Sequence, residues 1–333
     1  MQTQDELENQ FNEDIDKIVK DFIKDFELKH EEEVTNLSEP LLRWQDFVAR
    51  YIPPAPRQIL TAKKFPKELD TKVKDALNHF KNLIGTGADI NPYQSKGLIM
   101  HNDSSSNKRQ QRTDLLWADW GIHHFHLTDT PIPSEKYFSD RSQWLLFCII
   151  DKNFVGLIDV RDHNESDLFS NLDLLENLVE SWPEIMEKFR INMPLALNKQ
   201  YSSNEIAQLR KAGITAFITI NDQVYMNPGM GITSASTPTR ISLYRNRIRK
   251  HISELAKIVV DPANQFKQES TASGITDPEY SIALTENGLA IHEKKENKSF
   301  IFPRGTNNFI SELNDLIAPE WAIDFSVKKS TNN

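Results

Sequence analysis

The stretch that decides the fold lies at residues 112–163 and reads RTDLLWADWGIHHFHLTDTPIPSEKYFSDRSQWLLFCIIDKNFVGLIDVRDH. Within it, residues 122–127, 144–150 and 154–160 are rich in β-branched, aromatic and apolar side chains, which is typical of strands. The short polar link Asp151-Lys152-Asn153 predicts a tight hairpin between the second and third segments. These residues predict three strands that pair in sequence order into an antiparallel sheet.

Basic side chains are concentrated in the same stretch, which contains His123, His124, His126 and His163 among the chain's nine histidines. Successive side chains of a strand point to opposite faces, so His124 and His126 share a face and His123 points away from it. Arg161 and His163 share a face of the third strand, and Arg141 lies at the start of the second. The residues predicted to converge on one concave face are His124, His126, Arg141, Arg161 and His163.

This grouping of residue types suits chemistry at a phosphate group. A histidine can accept or donate a proton near neutral pH, and an arginine can hold a phosphate with two hydrogen bonds while neutralising its charge. A purely structural role is the alternative, because Asp114, Asp119, Asp159 and Asp162 lie nearby in the sequence and can pair with these cations.

Residues 65–165 resemble the RelE/ParE/HigB superfamily of small bacterial toxins, many of which are metal-independent ribonucleases. The resemblance is carried by helices followed by an antiparallel sheet and by the placement of basic residues on that sheet. It implies that His124 and His126 match the basic pair at alternate positions of one strand. It also implies that Arg141 matches the central phosphate-binding arginine, and that Arg161 and His163 match the late Arg or His.

The resemblance further implies a reaction, namely RNA cleavage by the adjacent 2′-hydroxyl without a metal or cofactor. His124 or His126 would act as the base, His163 as the acid, and Arg141 and Arg161 would stabilise the phosphorane. The implied protein is a toxin-like endoribonuclease of a bacterial toxin-antitoxin or phage-defence system. Its implied partners are RNA, including ribosome-associated RNA, and an antitoxin or regulatory protein.

Two other readings of the histidines stay open. A metal site could draw on His123, His124, His126 and either Asp162 or His163, although neighbouring strand residues point apart. Alternatively, His126-Leu127-Thr128 fits the His-x-Thr element of two-histidine phosphoesterases. Its partner would then be His251-Ile252-Ser253, which lies in a predicted helix rather than a strand.

The acidic charge of the chain is confined to its beginning. The sequence has 39 Lys and Arg against 48 Asp and Glu, a net charge of −9. Residues 1–40 hold 13 acidic residues and four lysines, which accounts for all of the −9. The remaining residues are neutral overall, so the total charge does not exclude a phosphate-bearing substrate.

Apolar residues recur at helical spacing over residues 5–34, which predicts an amphipathic helix with an acidic face. We expect this helix to pack on the body of the protein with its acidic face in water. The alternative is an acidic arm that docks a partner protein or covers a basic active site by mimicking phosphates. A second helix is predicted from Ser38 to Tyr51. The proline-rich segment 52–57 then predicts a domain boundary.

The sequence predicts further elements around the three strands. A helix is expected over 65–84 with a cap at Gly85-Thr86-Gly87, a polar surface loop over 103–111, and a helix over 168–190 broken near Trp182-Pro183. The predicted class is α+β, with helices on a central antiparallel sheet. The predicted domains are 1–58 as the acidic arm, 59–195 as the central catalytic domain and 196–333 as a smaller C-terminal α+β domain.

The C-terminal region carries a second group of basic residues. A helix capped by Ser203 and Gly213, short strands near Asn221-Asp222 and a Gly/Ser/Thr loop over 228–238 precede a basic helix over 241–260. A small meander and a closing helix follow. The residues that could bind a nucleic-acid backbone are Arg240, Arg245, Arg249 and Lys250. The alternative function is therefore a non-enzymatic nucleic-acid-binding or regulatory interaction protein, and the alternative structure is a solvated basic face.

The remaining composition bears on cellular context. Cys148 is the only cysteine and lies in an apolar run, so we expect a buried side chain and no intramolecular disulfide. No apolar stretch approaches the roughly 20 residues of a membrane helix, and the acidic N-terminus lacks the features of a secretory signal. These observations predict a cytoplasmic protein without membrane contact.

Overall fold

The computed structural model describes residues 2–192 and 200–331 and is of mixed α+β class, as predicted. Its α-helices are α1 (Gln4–Asp25), α2 (Pro40–Arg50), α3 (Thr71–Thr86), α4 (Leu115–Trp120), α5 (Asp173–Ser181), α6 (Pro183–Met186), α7 (Ser203–Ala212), α8 (Thr239–Val260), α9 (Gln265–Ala272), α10 (Phe309–Ile317) and α11 (Glu320–Thr331). Its strands are β1 (Gln58–Thr61), β2 (His123–His126), β3 (Trp144–Ile150), β4 (Phe154–Asp162), β5 (Ile218–Ile220), β6 (Gln223–Tyr225), β7 (Tyr280–Thr285), β8 (Gly288–Glu293) and β9 (Lys298–Ile301).

The chain divides into two compact units. The first contains the described residues of Met1–Ala49 and Ile241–Asn333, and the second contains those of Arg50–Arg240. This division differs from the three predicted domains, since the acidic helix shares a unit with the C-terminal residues. The predicted boundary after residue 195 lies outside the described residues.

In the first unit, α1 is part of the core rather than a separate arm. Its apolar stripe is buried, and Phe22 stacks on Trp44 with ring centroids 4.7 Å apart. Its polar side also serves the fold, because a carboxylate oxygen of Asp14 accepts a 2.7 Å hydrogen bond from the backbone N–H of Ile282 in β7. β7, β8 and β9 form the predicted antiparallel meander.

The first helix is shorter than its periodicity predicts. It begins with a capping box between Thr3 and Glu6 and ends at Asp25, with Phe26 as the C-cap. Glu27 then adopts a φ of 54°, a left-handed conformation that a helix cannot continue through. The prediction of helix over 26–34 is therefore wrong, even though Phe26 and Leu28 are buried as their apolar character suggests.

The second unit is built on a four-stranded sheet with the order β1-β4-β3-β2. β2, β3 and β4 are antiparallel and consecutive, as predicted, and β3–β4 is the predicted hairpin. β1 pairs with β4 in parallel, with Gln58 opposite Phe154. The expectation of a purely antiparallel sheet is therefore wrong, because the four-residue segment 58–61 is too short to be recognised by alternation alone.

Hydrophobic cores cover both faces of this sheet. On one face, Phe125, Leu146 and Leu157 pack with α3, in which Phe80 is fully buried. On the other face, Leu145, Phe147 and Ile158 pack with α5 and its neighbours. Burial of Phe125 in the core on the α3 side determines the orientation of β2. The flanking His124 and His126 must therefore face the other side of the sheet.

Several predicted elements have different limits. The helix expected from residue 65 begins at Thr71, because Phe65 precedes a proline and is disfavoured in helix. Its predicted cap is confirmed, with Gly87 at φ 75°. The predicted break near Trp182 is also confirmed, since α5 ends at Ser181 and α6 starts at Pro183. The cap of α7 is Ser202 rather than Ser203.

The polar segment 103–111 is only in part the surface loop that its composition predicts, since residues 107–110 are exposed. Residues 103–106 are buried, because the segment supplies its own hydrogen bonds. The carboxylate of Asp103 accepts from the backbone and hydroxyl of Ser105, both at 3.0 Å. Arg112, also buried, donates to the carbonyls of Ser106 and Ala235.

None of the helices in the described part of the chain combines the length and the apolar character that a membrane span requires.

A buried polar group ties residues 200–240 to the central sheet. Asp119, at the end of α4, forms a 2.6 Å ion pair with Arg210 of α7 and accepts a hydrogen bond from Asn227. Arg210 also lies over the ring of Trp120, 4.1 Å from its centroid. These contacts explain why residues 200–240 belong to the second unit.

Candidate functional site

A cleft of about 200 Å³ in the second unit is lined by most of the predicted site residues. Four of the five are present, namely His124, His126, Arg141 and His163, and Arg161 is not among the lining residues. The cleft lies where the end of β2, the segment before β3 and the end of β4 meet. The other lining residues are Gln94, Ser95, Lys96, His101, Ser139 and Phe169.

β2 is the edge strand that positions two of the histidines. His124 lies opposite Phe147 and His126 opposite Leu145 in the register with β3. Because both partners belong to the core on the α5 side, the two imidazoles share that face of the sheet. His123 points the other way, is buried and lies beside Trp117, as the alternation predicts.

Asp114 is the acidic neighbour of His124. One of its carboxylate oxygens caps α4 by accepting from the backbone N–H groups of Leu116 and Trp117. The other lies 3.3 Å from Nδ1 of His124, a buried nitrogen without an aligned hydrogen bond among the described residues. A neutral ring that carries its proton on Nδ1 directs it to Asp114 and keeps its lone pair on Nε2.

The protonation states of this pair follow from burial and charge. Burial alone would raise the pKa of Asp114, but His124, Arg50 and the backbone N–H of Trp117 together lower it below its usual value. Burial lowers the pKa of His124, although the Asp114 carboxylate acts in the opposite direction. The pair therefore consists of a carboxylate beside a neutral imidazole.

His126 has the opposite tautomer. Its Nδ1 accepts a 3.4 Å hydrogen bond from the backbone N–H of Ser142, so the proton of the neutral ring is on Nε2. Burial, with the nearby His124, lowers its pKa to about 4. Near neutral pH, His126 is therefore an uncharged hydrogen-bond donor.

His163 and Phe169 close the other side of the cleft. The exposed His163 ring stacks on His126 with centroids 5.9 Å apart and an interplanar angle of 16°. Phe169 contacts the edges of both His124 and His163, at 5.1 and 6.3 Å between centroids. His163 is exposed to water, whereas the side chain of His124, beside the aromatic ring, is 12% exposed.

The two predicted arginines have different environments. Arg141 is exposed, lines the cleft and has no hydrogen bond or ion pair with any described residue. Arg161 is engaged by three carboxylates, those of Asp159 at 2.7 Å, Asp173 at 3.3 Å and Glu165 at 3.5 Å.

The strand register explains why Arg161 is remote. Arg161 lies opposite Leu145, which in turn lies opposite His126. Two strand spacings of about 4.8 Å therefore separate Arg161 from the histidine strand. The expectation that Arg161 converges with the other four residues is wrong. Two residues can share a face of the sheet and still be separated by an intervening strand.

Sequence reasoning missed Lys96, His101 and Ser139 as parts of this site, and it named Asp114 only as a structural partner of the basic residues. The segment 94–101 lacks any strand or helix periodicity, and only the folded chain brings it beside β2. Asp114 had a recognisable feature, since an Asp before an apolar run is a typical helix N-cap. The N-cap pattern accounts for one carboxylate oxygen of Asp114. The other oxygen is then available to His124.

The predicted nucleic-acid-binding residues do not form a free basic surface. In the first unit, Arg245 pairs with Glu39 at 2.7 Å, and Arg249 pairs with Glu39 and with Asp16 of α1. Lys250 is exposed. In the second unit, Arg240 donates to the carbonyl of Pro228 and lies over Trp117. The acidic helix thus neutralises part of the basic helix within its own unit.

The other readings of the histidines gain no support. Across residues 2–192 and 200–331, no group of three or more His, Cys, Asp or Glu side chains is arranged to hold a metal ion. His251 lies in α8 and contacts Glu312 at 3.0 Å, in a helix and not on a strand. Cys148 is buried as predicted, and burial raises the pKa of its thiol, which favours the unreactive protonated form.

Comparisons with protein-family models, with curated proteins and with solved structures gave no match. Functional inference for this chain therefore rests on the chemistry of the cleft.

The buried histidines make a prediction about stability in acid. Burial lowers the pKa of His123 to about 3, against an ordinary value of 6.5, so the unfolded chain binds this proton first as pH falls. The free energy of unfolding should fall by about 1.4 kcal/mol per pH unit for this residue between pH 6.5 and about 3. Between pH 7 and pH 5, the free energy of unfolding measured in urea should fall by about 2 kcal/mol less in His123→Gln than in wild type. An equal loss in both proteins would contradict the assignment.

Proposed function

We propose that this cleft cleaves RNA by attack of the 2′-hydroxyl on the adjacent phosphodiester, as a toxin-like, metal-independent endoribonuclease. The observation that carries the proposal is the convergence of a carboxylate-backed neutral histidine, a second histidine that reaches water, and a free arginine on one cleft. These are a base, an acid and a cation, which are the groups that such a reaction needs.

His124 is the proposed base. Its Nε2 takes the proton of the 2′-hydroxyl while Asp114 stabilises the imidazolium that forms. The freed 2′-oxygen then attacks phosphorus and forms a bond to it. The sequence-based assignment left His124 and His126 as alternatives, and the tautomers favour His124, because Nδ1 of His126 already accepts from Ser142.

The remaining groups act on the phosphate and the leaving group. Arg141 and the Nε2 proton of His126 stabilise the charge on the phosphorane oxygens. His163 donates its proton to the 5′-oxygen as the bond from phosphorus to that oxygen breaks. The products are a 2′,3′-cyclic phosphate and a 5′-hydroxyl, and His163 and His124 return to their starting states by proton exchange with water.

The two arginines provide a matched test of the proposal. We expect Arg141→Ala to lower kcat/KM for RNA cleavage about 100-fold, because it removes the unpaired guanidinium proposed to stabilise the phosphorane. Arg161→Ala removes the same charge from the same unit but breaks only structural ion pairs. It should change kcat/KM less than threefold and lower the free energy of unfolding by about 1–3 kcal/mol. Equal activity losses in the two variants would contradict the assigned roles.

A role in a bacterial toxin-antitoxin or phage-defence system, and ribosome-associated RNA as substrate, belong to the same proposal. An antitoxin or regulatory protein could recognise the acidic helix through side chains that are exposed in the first unit, such as Asp5, Glu13 and Asp21. Asp16 is already paired with Arg249. Binding of RNA without cleavage would instead favour the alternative, a non-enzymatic nucleic-acid-binding regulator.

A further inference from the structure

One wall of the cleft carries polar groups that the proposed reaction does not use. Lys96 and His101 are exposed and line the cleft, and their side chains have no hydrogen bond or ion pair with any described residue. They belong to the segment 94–101, whereas the reacting groups come from the strand ends. The wall therefore comes from a different part of the sequence than the catalytic residues.

Ser139 on the same cleft is an independent observation. The residue is 6% exposed, and its buried hydroxyl has no hydrogen-bond partner among the described residues. An unpartnered buried hydroxyl costs free energy, so such groups usually serve a ligand or an ordered water. Ser139 is held in place by its backbone N–H, which donates to the carbonyl of Pro92 at 2.9 Å.

We propose that Lys96, His101 and Ser139 form a second phosphate-binding subsite beside the reacting phosphate. An ammonium, an imidazole and a hydroxyl are all donors, which suits an oxyanion rather than a nucleobase edge. This inference rests on the proposed function for the identity of the neighbouring phosphate. It deepens that function, because it makes the substrate an oligonucleotide with at least two phosphates rather than a dinucleotide with only the reacting one.

The subsite can be tested by binding, without any cleavage. The probes are the deoxydinucleotide TpT and its forms with an added 5′- or 3′-phosphate, pTpT and TpTp. All three lack the 2′-hydroxyl, so the proposed reaction cannot destroy them. We expect wild type to bind one of the two phosphorylated forms about tenfold more tightly than TpT in calorimetric titrations at low salt.

Lys96→Ala should abolish that tenfold gain and leave the affinity for TpT unchanged within twofold. Lys152→Ala is the matched control, since it removes one exposed lysine from the β3–β4 turn of the same unit, and it should keep the gain. Equal binding of the three probes by wild type, or a gain that survives in Lys96→Ala, would overturn the subsite.

Ser139→Ala separates a binding role from a structural one. Because the hydroxyl is unpartnered in the free protein, its removal should leave Tm unchanged or raise it, while reducing the phosphate gain at least threefold. A lower Tm with the full gain retained would overturn the role of Ser139. If RNA cleavage fails while the phosphate gain depends on Lys96, the proposed function is wrong and the subsite stands.

Discussion

His124→Ala should lower kcat for RNA cleavage by about 1,000-fold, the largest loss of activity expected from any single substitution in this protein. The reason is that, among the described residues, His124 is the cleft histidine that has a carboxylate beside one ring nitrogen and a lone pair left on the other. Single-turnover cleavage of an end-labelled RNA under saturating enzyme measures this step without interference from binding.

The control for this substitution is His101→Ala. It removes a histidine from the same cleft, but one that has no carboxylate partner among the described residues. We expect it to weaken binding while leaving the single-turnover rate at saturation within threefold of wild type. A rate for His124→Ala within tenfold of wild type, or equal losses in both variants, would contradict the role of His124 as base.

Asp119→Ala should destabilise the second unit by about 3–5 kcal/mol, the largest stability effect we expect. Asp119 and Arg210 are 2% and 4% exposed, so loss of the carboxylate leaves a guanidinium buried without a counter-charge. The amide of Asn227 loses its acceptor as well. Urea unfolding monitored at several wavelengths would measure the change.

A surface ion pair provides the matched control. Asp140 is 69% exposed in its side chain and pairs with Lys136 at 3.2 Å. Because solvent screens this pair, Asp140→Ala should change the free energy of unfolding by less than about 1 kcal/mol. A change below 1 kcal/mol for Asp119→Ala would show that the buried network does not hold residues 200–240 to the sheet.

The substitution at Asp119 should also reach the cleft. Arg210 donates a hydrogen bond to the carbonyl of Phe169, the residue whose ring packs against His124. We therefore expect Asp119→Ala also to lower the rate of RNA cleavage at temperatures well below its unfolding midpoint.

Much of the central sheet could be predicted from local sequence patterns. Alternation along β2 placed His124 and His126 together and turned His123 away, and the structure agrees. The turn at Asp151-Lys152-Asn153 and the left-handed glycines Gly87 and Gly213 were also predictable, because a tight turn or a helix end restricts the backbone locally.

The remaining parts depend on contacts between residues that are distant in sequence. Asp103 looked solvent-exposed, because nothing local shows that residues 103–106 would be buried among internal hydrogen bonds. Arg161 was predicted to lie with the cleft histidines, because alternation shows which face of the sheet a residue is on. Alternation does not show how many strands separate two residues. Lys96 lines the cleft because the folded chain brings residues 94–101 to it, and the periodicity of a segment does not predict such a contact.

The most direct test of the central claim is the chemistry of the RNA ends. Purified protein should be incubated with an end-labelled RNA in EDTA, beside the same RNA with one 2′-deoxynucleotide at the cleaved position. The account predicts 2′,3′-cyclic phosphate or 3′-phosphate ends with 5′-hydroxyl partners, and no cut at the 2′-deoxy position. Products with 5′-phosphate ends, cleavage at the 2′-deoxy position, or intact RNA would contradict it.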